Sequence, residues 1–417
     1  MFKAILTAHS PLSYINLDTI AKKTKFVIRK SKKFSPEGIL SSLMKSVIKG
    51  KGSFRSLASD LCPLEKKSIS RQGVFLRINE KCVTFLSQTA HALIALQAKP
   101  VEKICSKFGI KRILTEDSTY QRMNPKNAGN FPAHGNKKGA TAGFKIDLIY
   151  DLITGSPIYQ GLFSGTEQDK KIGKIMLKFV KKGDLVLRDM GYFAHAMFTE
   201  IERLRAFWLS RLPANVNVTL LNGSSLEKKL RSRSNVMLDE VVIVGADGLR
   251  CRLIAVRADD DLAIKRRRAR RKACKNTPSQ QAIMRDGWHI LLTNLDESVS
   301  SEDLFEIYSL RWNIEVRFKA WKQAINMKQV FNTVRNYDHH QALIYAALIF
   351  QLITLNVAAS LKLGGRILSL ENFSKEIASR LLENADLGKE ICFKFDPRHI
   401  IMEKRKRKSL MDQLLTI

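Results

Sequence analysis

Tyr308, Arg311, Glu315 and Lys322 stand at offsets 0, 3, 7 and 14 along one stretch of sequence. At 100° per residue they fall at about 0°, −60°, −20° and −40°, a single stripe roughly one-sixth of a turn wide. Ile307, Ile314, Phe318, Trp321 and Ile325 fall beside it at about −80° to −140°, so one helix over Asp303–Lys328 would bury this second stripe. A carboxylate flanked by two cations and a phenol at the margin of a buried face reads as a site. A solvated helix would scatter its charges over the far side, and a surface ion-pair ladder is the competing account. Arginine suits bidentate contact with a phosphate, and lysine serves as a point charge.

The composition points to the same partner. The 417 residues carry 71 Lys+Arg against 39 Asp+Glu, a net charge of +32 and a pI near 10.0. A surface this basic repels itself unless it meets a polyanion, so nucleic acid leads over a solvated basic face or a membrane surface. With 45% hydrophobic and 26% charged residues, the chain suits two or three packed domains and excludes collagen, coiled coil and wholesale disorder. Six scattered cysteines without a Cys-x-x-Cys pair argue against a zinc site or a disulfide framework and fit a reducing cytoplasm. The N-terminus lacks the pattern of a secretory signal. Ala342–Leu361 is apolar but interrupted by Gln351, Thr354 and Asn356, which favours a buried core helix over a membrane span. Gly50-Lys51-Gly52-Ser53 lacks the first glycine of a phosphate-binding loop, so ATP is not implied. The histidines show no metal-ligand spacing, and His339-His340 read as solvated residues ahead of the apolar helix.

The first hundred residues read as helices. Ser35 caps a helix begun by Pro36, with Ile39, Leu40, Leu43 and Val47 on one face before Gly50. Phe54, Leu57, Ala58 and Leu61 make a second helix, and Ser70–Ile78 a third whose start carries Arg71 and Gln72, an arrangement that suits major-groove docking. From about residue 110 the period shortens. Arg112–Asp117, Gly143–Tyr150, Ile158–Phe163 and Asp184–Asp189 read as strands. A helix over Glu167–Val180, a helix over Ala194–Arg205 and a strand at Phe207–Leu209 complete a mixed sheet covered by helices. Met237–Val244, the Asp247-Gly248 turn and Leu249–Val256 form a hairpin, and Trp288–Thr293 a further strand. Between them Lys265–Lys272 holds seven basic residues in eight. In a chain of this charge the run more plausibly tracks phosphates than coats a solvated helix, which makes Arg266, Arg267, Arg268, Arg270 and Arg271 candidate contacts.

The Tyr308-x2-Arg311-x3-Glu315-x6-Lys322 pattern resembles the Tyr-Arg-Glu-Lys signature of the insertion sequence four family of DDE transposases. Asp117-Ser118-Thr119 at the end of the first strand is similar to that family's first aspartate. Asp189-Met190-Gly191-Tyr192 is similar to its second, with Met190 where arginine is usual and Arg188 one residue before. The two gaps are 72 and 126 residues, the second holding the basic β-rich insertion. The resemblance implies a ribonuclease H-like α/β (α+β) core, a mixed sheet with helices interrupted by that insertion, plus an N-terminal helical domain. The expected segments are a helical DNA-binding domain (1–105), the first part of the catalytic core (106–212), the insertion (213–294), the second part of the core with the glutamate helix (295–375) and a basic tail (376–417).

It also implies chemistry. Asp117, Asp189 and Glu315 are expected as catalytic residues and ligands of Mg²⁺, with Mn²⁺ able to substitute. Glu116, next to Asp117, would point to the other face of the strand. Tyr308, Arg311 and Lys322 are expected to hold DNA phosphates, Arg71 to serve the N-terminal domain, and Trp288 to stack on a flipped base or else pack in the core. The expected partners are double-stranded DNA, as the element's inverted repeats and the target, and a second copy of the chain on paired ends, with no membrane. The expected place is the bacterial cytoplasm, at the nucleoid. A non-catalytic DNA-binding regulator, a structure-selective nuclease and an RNA-binding protein are the alternatives. Each leaves part of the pattern without a task.

Overall fold

The computed structural model describes residues 6–29, 33–96, 109–136, 139–153, 156–232, 236–273, 277–334, 336–361, 367–383 and 392–402. The basic tail at Lys404–Lys408 lies outside them. The chain forms two compact units that interleave in sequence, whereas the expected segments ran end to end. The first takes Met1–Val101, Ser118–Glu167 and Asn313–Ile417, the second Glu102–Asp117 and Gln168–Trp312.

The first unit opens with β1 (Leu6–His9), α1 (Leu17–Lys23), α2 (Pro36–Lys49), α3 (Phe54–Glu65), α4 (Arg71–Arg77) and α5 (Glu80–Leu96). Ser35, Ser53 and Ser70 accept from the N–H of Gly38, Ser56 and Gly73, capping α2, α3 and α4. Gly50 ends α2 at φ 74°, a left-handed conformation that costs glycine little. These three helices start where the sequence places them, but α2 is buried almost all round rather than on one face.

Next come β2 (Arg112–Met123), β3 (Pro132–Asn136), β4 (Gly139–Asp151) and β5 (Ser156–Ser164). The expected end of the first strand at Asp117 is corrected: β2 runs on to Met123, because its second half lies beside β4. Antiparallel partners β3 and β5 also pair with β4.

The second unit continues with α6 (Asp169–Ile172), β6 (Asp184–Arg188), α7 (His195–Arg203), β7 (Phe207–Arg211), β8 (Val218–Leu220), α8 (Leu226–Leu230), β9 (Met237–Val244), β10 (Leu249–Arg257), α9 (Asp260–Ala273), α10 (Gln280–Arg285), β11 (Trp288–Thr293) and α11 (Ser301–Ser309). The helix expected over Glu167–Val180 instead gives way at Gly173 to a tighter 3-10 stretch, Gly173–Lys178. The bare Cα of Gly173 lies against Arg188, where an added Cβ would come within 2.7 Å of a guanidinium nitrogen. Strand β6 runs parallel to both the first half of β2 and β7. Strand β11 returns antiparallel to β7 and pairs with β10, which pairs with β9. The β-rich insertion is thereby hydrogen-bonded into the same sheet as β6 and β7. All five residues of β6 are buried, and Trp208 of β7 stacks on Phe198 of α7 at 4.1 Å.

The chain then returns to the first unit: α12 (Trp312–Ala324), α13 (Met327–Thr333), α14 (Tyr337–Ser360), β12 (Ile367–Leu368), α15 (Leu370–Glu383), β13 (Cys392–Phe395), α16 (Pro397–Ile400) and β14 (Ile401–Met402). Helix α14 is long and apolar enough to cross a membrane by length and composition, yet 78% of its apolar window is buried inside the fold. It packs on α2 and α5, as a core helix does.

His339 and His340 are not solvated, contrary to the sequence reading. They are 2% and 1% exposed. His339 stacks on Phe54 at 4.1 Å and His340 on Phe331 at 6.0 Å. Burial, reinforced by His340, pushes His339 down to about 3. The folded state therefore keeps this ring neutral while the unfolded chain protonates it below about 6.5. Its contribution is complete above that pH and is lost toward pH 3 at up to about 1.4 kcal/mol per pH unit. Urea titrations at pH 6 and pH 4 should show wild type losing roughly 2–3 kcal/mol more than His339→Phe. Equal losses in the two proteins would contradict this.

Candidate active site

The register of β2 against β6 is the starting point. Arg112 pairs with Asp184 and Thr115 with Leu187, a constant offset of 72 residues. Carried on, that offset sets Glu116 level with Arg188 and Asp117 level with Asp189. The first pair confirms the continuation: Glu116 and Arg188, each 1% exposed, form a buried ion pair. Side chains alternate along a strand, so Asp117 and Asp189 leave on the opposite face, level at the carboxyl end of β6. Both are half-buried. Arg188, with Met190 where arginine is usual, also donates to the Tyr192 carbonyl at 3.4 Å and lies 5.1 Å over the Tyr192 ring. It is committed to the core and does not stand in for an arginine that reaches outward.

A phenol and two guanidinium groups surround Asp189 within the second unit. Tyr308, in the last turn of α11, donates from its hydroxyl to the Arg188 carbonyl at 3.3 Å. The Arg311 guanidinium is 5.9 Å from the Tyr308 ring centre. Burial pushes the Tyr308 phenol up to about 12; Arg311 and Arg211 pull the other way, and the Asp189 charge adds to the rise. Tyr308 is thus a neutral donor at neutral pH. Sequence reasoning missed Arg211, which ends β7 just past the strand read at Phe207–Leu209. The available signal was its position, the carboxyl end of a strand parallel to β6. Arg211 makes no hydrogen bond or ion pair among the described residues. Arg266 and His289 lie near it: burial first, then the Arg266 and Arg211 charges, hold His289 below its ordinary value.

The other half of the signature sits on a different helix. The continuous helix expected over Asp303–Lys328 is corrected to α11, α12 and α13. At the first break Leu310 N–H donates to the Ile307 carbonyl and Arg311 N–H to the Tyr308 carbonyl, so the last turn tightens and α11 stops. Helix α12 begins afresh at Trp312. The single stripe therefore holds only in pairs: Tyr308 with Arg311, and Glu315 with Lys322, seven residues and about −20° apart on α12. Glu315 is half-buried and Lys322 exposed. Trp312, also missed from sequence, is 61% exposed.

Among the described residues, no group of three His, Cys, Asp or Glu side chains is close enough to hold a metal ion. The donor set in hand is Asp117 and Asp189, two hard oxygen ligands side by side. That suits Mg²⁺, which takes one or two carboxylates and completes its shell with phosphate oxygens and water.

The remaining candidates divide. The basic run is helical, within α9, and its arginines point two ways. Arg266 donates to the carbonyls of Asp286 and Trp288 at 3.4 and 3.2 Å. Arg267 donates to the Ile283 carbonyl at 3.3 Å, and Arg270 pairs with Asp286 at 2.6 Å. These three fasten α9 to α10 and β11, while Arg268 and Arg271 are exposed. Trp288 is 4% exposed, with the Arg257 guanidinium 5.1 Å over its ring, so its face is covered. Arg71 is exposed at the first position of α4.

A family model described as the transposase DDE domain matches residues 109–352. The chain is 27% identical over 396 residues to the transposase of insertion sequence element IS231F from Bacillus thuringiensis subsp. israelensis, covering 87% of this chain and 80% of that one. It is 22% identical over 389 residues to the transposase of element IS1151 from Clostridium perfringens, covering 87% and 81%. Among solved structures, the piggyBac transposase synaptic complex with hairpin DNA aligns at a TM-score of 0.46 and 13% identity, over 89% of this chain and 78% of that chain.

Proposed function

The chain belongs to the transposase DDE domain family, and on that premise we propose that it cuts the inverted ends of its own insertion sequence and joins the freed 3′-OH to target DNA. The observation that supports this most is the level pair Asp117 and Asp189 beside Tyr308, Arg311 and Arg211. Glu315 completes the carboxylate set in this reading, as the insertion sequence four signature implies. The three would hold Mg²⁺, or Mn²⁺ in its place. When bound, that ion supplies charge neutralisation at the attacking and leaving oxygens and a more acidic water.

The chain's own residues do the rest. Arg311 and Arg211 take non-bridging phosphate oxygens, Arg in its bidentate manner, and Lys322 adds a point charge. Tyr308 remains protonated and turns its hydroxyl from the Arg188 carbonyl to the DNA. Trp312, exposed where Trp288 is covered, offers an aromatic face beside Arg311 in sequence. Arg268, Arg271 and Arg71 meet phosphates away from the cut. Water attacks first and the released 3′-OH attacks next, so each phosphodiester broken is replaced by hydrolysis or by a new phosphodiester, with no enzyme–DNA bond. Two ends require a dimer on DNA, and the reaction belongs in the bacterial cytoplasm at the nucleoid.

The test uses linear DNA ending in the inverted repeats that flank this gene, a target plasmid, Mg²⁺ and the full chain. Cuts at the repeat boundary with joined products support the reading. Tight binding with no cut in Mg²⁺ or Mn²⁺ would point instead to a non-catalytic regulator, and cutting without joining to a nuclease.

A further inference from the structure

Tyr120 has no part in the chemistry above, yet its setting in the first unit is specialised. It lies in the second half of β2, where Ser118, Tyr120 and Arg122 alternate outward and Thr119 and Met123 are buried. Its ring rests on main chain. A Cβ on Gly143 of β4 would overlap the Tyr120 phenol, and one on Gly165, just after β5, would come within 2.9 Å of ring carbon Cε2. The two glycines are tied together, the Gly165 N–H donating to the Gly143 carbonyl at 3.0 Å.

Glycine inside a strand weakens it and marks a place of close approach. Here the approach is made by an aromatic ring laid flat on a two-glycine bed. The ring is held on one side only: Tyr120 is 41% exposed and, among the described residues, makes no hydrogen bond, ring contact or cation–π contact. Arg122 is exposed two residues on, with no ion pair among the described residues, and Lys126 is exposed beyond it. A fixed, one-sided aromatic surface followed by free cations is what a base and its phosphate require.

We propose that Tyr120 is a stacking platform for a nucleobase that has left the duplex stack, with Arg122 on the adjoining phosphate. The assignment rests on the transposase reading and adds to it a receptor for an unpaired base, three residues after Asp117 in the same strand.

The test measures binding of the full chain, without divalent metal, to two probes. One is a single-stranded oligonucleotide of about 20 nucleotides, longer than one binding site, carrying a 2-aminopurine; the other is a duplex of equal length. Wild type should bind the single strand and quench the 2-aminopurine. Tyr120→Ala should weaken that binding about tenfold, equivalent to about 1.4 kcal/mol, and lose the quench. Tyr120→Phe should keep both, since the ring is the platform. Gly143→Ala, which lifts the ring from its bed, should behave like Tyr120→Ala. Duplex affinity should move less than about twofold in all three, given that phosphate contacts dominate it. Unchanged single-strand binding and quench in Tyr120→Ala would overturn the proposal, as would an equal loss on both probes. A wild-type chain that binds neither probe contradicts the transposase reading, and this assignment with it.

Discussion

Replacing Asp189 by asparagine should lower cleavage of the element's end by about a thousandfold, while affinity for that end stays within about twofold. The substitution keeps the shape of the side chain and removes the charge that holds the cation. Loss of roughly 4 kcal/mol of transition-state stabilisation, within the several kcal/mol a bound metal supplies, corresponds to about three decades in rate. Binding is carried by phosphate contacts spread over a +32 chain, so one neutral asparagine in place of a carboxylate changes it little. Asp189 is half-buried at the end of β6, and the fold should survive with its melting temperature nearly unchanged. Cleavage within tenfold of wild type would remove Asp189 from the site, and so would a fall in cleavage matched by a fall in binding.

The neighbouring carboxylate should respond in the opposite way. Glu116→Gln leaves the Arg188 guanidinium buried without its counter-charge, and breaking a buried pair in this manner costs about 3–5 kcal/mol. The pair joins β2 to β6 at the level just before Asp117 and Asp189. Its rupture should lower the melting temperature sharply and reduce activity only through loss of folded protein. A double variant, Glu116→Leu with Arg188→Met, removes both charges and should recover most of the loss, as hydrophobic replacement of a buried pair commonly does. Chemical denaturation of the four proteins of this cycle measures the coupling. A single Glu116→Gln variant as stable as wild type, yet without cleavage, would mean that Glu116 and not Asp117 faces the reaction.

That contrast shows what the sequence makes legible. Strand alternation at Glu116-Asp117 and at Arg188-Asp189 separates a core ion pair from an outward pair of aspartates, because period two is a property of every strand. The helix starts at Ser35, Ser53 and Ser70 are equally local, each fixed by one side-chain oxygen and a backbone N–H three residues on. The break between α11 and α12 is not local in this sense. Leu310, Arg311 and Trp312 include no glycine or proline, so the helical period runs through a place where the backbone stops. The extension of β2 past Asp117 depends on β4, which comes later in the chain. Composition misled in two places. The run Lys265–Lys272 looks uniformly available to phosphates, yet the partners of Arg266, Arg267 and Arg270 lie between Ile283 and His289, beyond the helix itself. His339-His340 look polar and are enclosed by Phe54 and Phe331 from other helices. Arg211 and Trp312 escaped notice because neither belongs to a spaced motif; position at a strand end and exposure at a helix start single them out.

The central claim is that Asp117, Asp189 and Glu315 serve one metal. Iron-directed cleavage of the polypeptide tests it most directly. Fe²⁺ in place of Mg²⁺, with ascorbate and peroxide, cuts the backbone beside its own ligands. With the element's end bound, the account expects fragments ending near residues 117, 189 and 315 together, all suppressed by excess Mg²⁺ and all lost in Asp189→Asn. Cuts near 117 and 189 with none near 315 would contradict it.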